Sequence, residues 1–110
     1  MNGTDGGDMT GPVVFINVFT VKAGGMDEFV ALQKANLERS RGNVPGWRGS
    51  RLHRSLDGDK AIMVTTFDSI ADHKRVHATQ QFSEHIGNLS PLIEKADFGY
   101  YRLVHEVAGG

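Results

Sequence analysis

A chain of 110 residues suits one domain with one core, although so short a chain buries a smaller share of its surface than a large one. With 39% apolar and 23% charged residues and a net charge of −1, it shows no basic stripe for nucleic acid and no apolar run long enough to span a bilayer, which argues against both partners. The absence of cysteine removes disulfides, iron–sulfur clusters, thiol nucleophiles and Cys-ligated zinc, and it suits a cytoplasmic setting.

Residues 1–11 are rich in Gly and Asp and lack the apolar stretch of a signal peptide, so they read as a loose tail ahead of a domain over 12–110. Val13 to Val21 (VVFINVFTV) is β-branched and aromatic, bounded by Gly-Pro and Gly-Gly, and predicts a strand buried on both faces. Met26 to Arg41 predicts a helix, with Met26, Phe29, Val30, Gln33 and Leu37 on one side, acids in the first turn and arginines in the last. Gly42, Pro45 and Gly46 break the chain.

Trp47 to Leu56 and Ala61 to Phe67 predict a hairpin about Asp57-Gly58-Asp59. Ser69 and Asp72 form a capping-box pattern opening a helix through about Ala78. Thr79 caps a further short helix that sets Phe82, His85, Ile86 and Leu89 on one face and ends near Gly87-Asn88 and Ser90-Pro91. Phe98 to Val107 predicts the last strand. The order β-α-β-β-α-β is that of a ferredoxin-like α+β domain, a four-stranded antiparallel sheet with helices on one face. Val14, Ile16 and Val18 alternate with Phe15, Phe19 and Val21, so both faces of the sheet are apolar and a second copy of the chain is the expected cover for the open one.

Asn17 interrupts the apolar first strand on the side of Phe15 and Phe19. A buried amide needs a partner, either backbone or the oxygen of a ligand in a pocket. His85 lies on the face of Phe82 and is either a core histidine satisfied by backbone, a base, or an axial ligand to heme iron. His53 falls mid-strand between Arg51 and Ser55, on a polar face or a pocket rim where it is solvated or acts as a base. His73 and His77 share a helix face; an i,i+4 pair can hold a metal, but no third ligand is evident, and Asp72 and Lys74 point to a solvated stretch. Tyr100 and Tyr101 point to opposite faces of the last strand. Met63 and Phe67 share a parity as core or pocket wall, and Phe15, Phe19, His73, Val76 and Phe82 complete the expected pocket. No dinucleotide fingerprint, phosphate loop or serine-nucleophile motif is present in the sequence.

Three stretches carry a family resemblance: Phe15-Ile16-Asn17-Val18-Phe19-Thr20-Val21, Pro45-Gly46-Trp47, and Leu52-His53-Arg54-Ser55-Leu56-Asp57-Gly58, followed by the Phe67-Asp68-Ser69 junction. Through them the chain resembles the antibiotic biosynthesis monooxygenases from about Pro12 to Val107. The resemblance implies a dimeric α+β barrel and, in one branch, oxidation of a phenolic, polyketide-like aromatic with O₂ and no cofactor. There Asn17 matches a strand-one asparagine and His53 resembles a histidine of some members. That branch usually has Trp at Phe67 and in some members Asn at Met63, and a Phe cannot donate a hydrogen bond. A second branch degrades heme, with Asn17 and His85 matching in position and Val76 standing where its Trp falls. The expectations are therefore a homodimeric, cofactor-free monooxygenase with Asn17, His53 and His85 as catalytic candidates. A heme enzyme and a non-catalytic small-molecule binder are the alternatives.

Overall fold

In the computed structural model, which describes residues 11–110, the chain runs β1 (Val13–Val21), α1 (Met26–Ser40), β2 (Trp47–Arg54), β3 (Lys60–Phe67), α2 (Ile70–His77), α3 (Gln80–Leu89), a 3₁₀ turn (Ser90–Leu92) and β4 (Ile93–Tyr101). The strands form one antiparallel sheet in the order β2-β3-β1-β4. This is the expected ferredoxin-like βαββαβ fold, its second helical stretch divided in two. Apart from Gly11, the expected tail over 1–11 lies outside the described residues.

The helix starts follow their caps. Ser69 Oγ accepts from the Asp72 N–H at 3.2 Å, and Thr79 Oγ1 accepts from the Phe82 N–H at 3.2 Å, so each hydroxyl satisfies an amide the first turn leaves free. α3 runs through Gly87 to Leu89 rather than ending at the Gly87-Asn88 step, because Leu89 is buried against the core and holds the last turn in place. β2 stops at Arg54, short of the expected Leu56. The Ser55 N–H closes the hairpin on the Lys60 carbonyl and leaves Leu56 fully exposed.

The last strand is displaced most. It was expected over Phe98 to Val107 and occupies Ile93–Tyr101. Pairing places it there: the stretch lies antiparallel beside β1, from Ile93 facing Val21 to Tyr101 facing Val14. The charged Ile93 to Asp97 stretch carries little strand signal by itself, yet it lies in register beside β1.

One glycine is fixed by geometry. Gly46 adopts φ +82°, and a Cβ there would lie 2.3 Å from Asp72 Cγ. Its carbonyl also accepts from the Asp68 N–H at 2.7 Å. The Pro45-Gly46-Trp47 step is thereby pressed against the start of α2, which places Trp47 beside β3.

The helices cover the sheet face of Phe15, Asn17, Phe19, Met63 and Phe67. Their packing makes two apolar clusters. One joins Phe19, Val21, Phe29, Ala61, Met63 and Leu89, and the other joins Val13, Phe67 and Ile70. The outer face carries Val14, Ile16, Val18, Ile62 and Val64, all half-buried, beside the exposed Tyr101. Among the described residues no helix is long and apolar enough to cross a membrane.

Candidate functional site

Between the two clusters the helices do not fill the space above the sheet, and a cavity of about 140 Å³ remains. Its floor is β1 and β3: Phe15, Asn17, Phe19, Met63, Thr65 and Phe67. α1 supplies Gln33, Asn36, Leu37 and Ser40; α2 supplies His73, Val76 and His77; α3 supplies Phe82, His85, Ile86 and Leu89. Val44, Trp47 and Ser50 close the β2 side. The lining has no Asp, Glu, Lys or Arg, so the groups that can titrate in it are three of the chain's five histidines.

Nine of the residues expected at the site border this cavity: Asn17, His85, Phe15, Phe19, Met63, Phe67, His73, Val76 and Phe82. His53 does not. It pairs with Ile62 on the outer face and is exposed, so a single chain places it across the sheet from the cavity. His73, expected on a solvated stretch, is only 4% exposed. Asp72 and Lys74 point away while the intervening ring turns inward onto Phe15 and Phe67, with centroids at 4.1 and 5.2 Å. Among the described residues no group of three His, Asp or Glu side chains is placed to hold a metal.

The polar atoms divide sharply. His85 Nε2 and Gln33 Oε1 lie 2.8 Å apart in a buried pair that ties α3 to α1. Because the Gln oxygen can only accept, the His85 hydrogen sits on Nε2. His73 Nδ1 lies 2.8 Å from the Tyr100 hydroxyl of β4, while His73 Nε2 is buried without a partner. Asn17 Oδ1 is likewise buried and unpartnered. A buried polar atom left in that state costs about 1–3 kcal/mol, which a ligand of complementary chemistry returns. Burial pushes the His73 imidazolium down to about 4, with repulsion from His77 adding to it. Burial also lowers His77, and it lowers His85 with Arg39 adding to the effect. The cavity is therefore uncharged at neutral pH.

Eleven lining residues were not singled out from the sequence as pocket residues, and four of them, His77, Trp47, Ser50 and Thr65, shape its walls. His77 stacks on Phe82 at 4.0 Å and 18°, extending the aromatic wall from His73. Trp47 Nε1 donates to Ser50 Oγ at 3.0 Å, and Ser50 Oγ lies 2.8 Å from Thr65 Oγ1. Trp47 and Ser50 share the inner face only because a bulge between Trp47 and Gly49 shifts the register. The visible signal is Gly49, whose φ is +140°.

A family model described as antibiotic biosynthesis monooxygenase matches residues 12–87. No curated protein sequence matches the chain. Among solved structures, a Caulobacter crescentus protein assigned to antibiotic biosynthesis monooxygenases superposes with a TM-score of 0.83 at 16% identity, covering 94% of this chain and 100% of that one. SnoaB, a cofactor-independent oxygenase from Streptomyces nogalater, superposes with a TM-score of 0.79 at 22% identity, covering 91% and 100%. At these identities the likeness is one of fold.

Proposed function

The chain belongs to the antibiotic biosynthesis monooxygenase family, and from that premise we propose that it is a cofactor-independent monooxygenase acting on a small phenolic aromatic with O₂. The observation that carries this reading is the charge-free, aromatic-walled cavity with the Asn17 amide in its floor. Aromatic walls suit a planar ring, and a bound ring that displaces water strengthens every hydrogen bond made to an anion formed beneath it. SnoaB shows that this fold supports oxygenation without a cofactor.

The chemistry balances without a cofactor. A phenol gives up its hydroxyl proton, and the phenolate passes one electron to O₂. The two radicals then join in a carbon–oxygen bond. The peroxide loses the proton on that carbon as its O–O bond breaks. This leaves a quinone and hydroxide, which regains the first proton as water. Asn17 Nδ2 carries two N–H donors suited to the phenolate and peroxide oxygens. Phe67 and Met63, standing where the resembling branch has Trp and Asn, supply only apolar wall.

The phenol reading is favoured over heme because His85, the candidate axial ligand, has its Nε2 engaged by Gln33.

Oxygen uptake by the purified chain with a panel of phenols and reduced anthrones, free of metal and flavin, tests the reading. Quinone should form, and Asn17→Ala should lower kcat/KM about tenfold to a hundredfold, the worth of one or two hydrogen bonds to an anion. Binding of such compounds with no oxygen consumed would make the chain a binding module instead.

The same reading includes a homodimer. Val14, Ile16 and Val18 of β1 and Ile62 and Val64 of β3 form an apolar face that the helices of its own chain do not cover, and Leu103, Val104 and Val107 are exposed after β4. A second copy of the sheet buries both. Light scattering should give the mass of two chains, and Ile16→Lys should give the mass of one; a single-chain mass for the unaltered protein defeats this part.

A further inference from the structure

We propose that His73 and Tyr100 form the proton path between the cavity and solvent, with His73 Nε2 accepting the hydroxyl proton of a one-ring phenol and Tyr100 carrying a proton outward. This rests on the phenol-oxidising reading and supplies the step it lacks: a route by which the proton leaves the buried nitrogen that takes it.

The geometry selects this pair by its two ends. The inner end, His73 Nε2, is a buried nitrogen without a partner on a residue that borders the cavity. The outer end is the Tyr100 hydroxyl, 2.8 Å from Nδ1, on a residue 39% exposed at the sheet edge. A neutral imidazole bonded this way exchanges its tautomer. As Nε2 takes a proton, the hydrogen on Nδ1 passes to the tyrosine oxygen, whose own hydrogen passes to water. The sum is a phenolate in the cavity and a proton in solvent, with His73 neutral again. The reverse transfer returns the proton that converts hydroxide to water.

The other histidines lack one end or the other. The partner of His85 is a buried Gln oxygen, which accepts a hydrogen bond but does not pass a proton on. His53 is on the outer face. His77 stands at the exposed end of the stack, where water already reaches it. The surroundings of His73 keep it a conduit. His77 from its own helix and Tyr100 from β4 are the titratable groups against it, and β1 and β3 present Phe15 and Phe67. Burial holds the imidazolium low and the Tyr100 phenol high, so neither stores charge at neutral pH.

The one-ring limit comes from volume. The cavity's 140 Å³ compares with the roughly 150 Å³ of an engineered protein cavity that takes up benzene.

4-Nitrophenol tests this without oxygen chemistry, since it has one ring and its anion absorbs visible light. With probe bound to the full chain, a stopped-flow pH jump reads the rate at which it ionises in the cavity. Tyr100→Phe keeps the ring and deletes the hydroxyl. The expected result is an ionisation rate at least tenfold slower, a smaller solvent deuterium isotope effect, and affinity within about threefold. His73→Phe should remove the fast phase. Equal rates in Tyr100→Phe and the unaltered chain, or no binding of the probe, overturn the proposal. If the probe binds and ionises as expected while no phenol drives oxygen uptake, the monooxygenase reading fails and the path stands. If oxygen uptake persists with unchanged proton kinetics in Tyr100→Phe, the reading stands and the path fails.

Discussion

Acidification should destabilise the fold by up to about 3 kcal/mol through His73 alone, between its ordinary value of 6.5 and its folded value of about 4. The sign follows from proton counting. As the pH falls below 6.5 the unfolded chain takes up a proton on this residue and the folded chain does not, so protons pull the equilibrium toward the unfolded state. Stability is full above 6.5, is lost progressively down to about 4, and changes no further through this residue below that. His77 and His85 are lowered in the same direction by burial and steepen the same limb. Asp72 is held below 3.8 by hydrogen bonds from Arg75 and Ser69, so its contribution falls under this window. Urea denaturation at fixed protein concentration across pH 4 to 7 measures the slope. His73→Phe keeps a ring against Phe15 and Phe67 and should flatten it. A slope unchanged in that variant would place the acid sensitivity elsewhere.

How far the sequence reveals this site depends on which force sets each feature. Strand β1 was legible to the residue, because hydrophobic runs and glycine boundaries are local signals that packing then reinforces. Both short-helix caps were legible for the same reason: a hydroxyl two or three residues ahead of a free amide is a local contact. β4 was not, since its polar first half is held only by register against β1, a partner some seventy residues earlier in the chain. The inward turn of His73 was hidden in the same way. Its neighbours Asp72 and Lys74 are charged, and only the tertiary approach of Phe15, Phe67 and Tyr100 makes its position a core one. Parity correctly put Asn17 beside Phe15 and Phe19 and put Tyr100 and Tyr101 on opposite faces. Parity does not give the wall that Trp47 and Ser50 share, where one bulged residue brings two positions of unlike parity to one side.

The largest loss of stability should come from Phe29→Ala, about 3–5 kcal/mol, a large part of the 5–15 kcal/mol that holds a typical domain together. Phe29 is 0% exposed and is the residue by which α1 grips the sheet, its ring edge-on to Phe19 at 5.0 Å and 61°. Truncation removes the apolar transfer of a whole ring and leaves a void, and the void term depends on how well the neighbours can close in. Here they close poorly. Phe19, Met63 and Leu89 pack around Phe29 on one side and border the cavity on the other, so a shift toward the gap only enlarges the cavity behind them. Phe19 is the partition between the two spaces. Once it can move, the one-ring limit should relax as well. Denaturation at fixed protein concentration should show a lower midpoint with an unchanged slope, and the affinity for a two-ring phenol such as 2-naphthol should rise relative to 4-nitrophenol. A cost below about 1 kcal/mol would mean that the neighbours repack freely, and the core would then not be the rigid wall that gives the cavity its size.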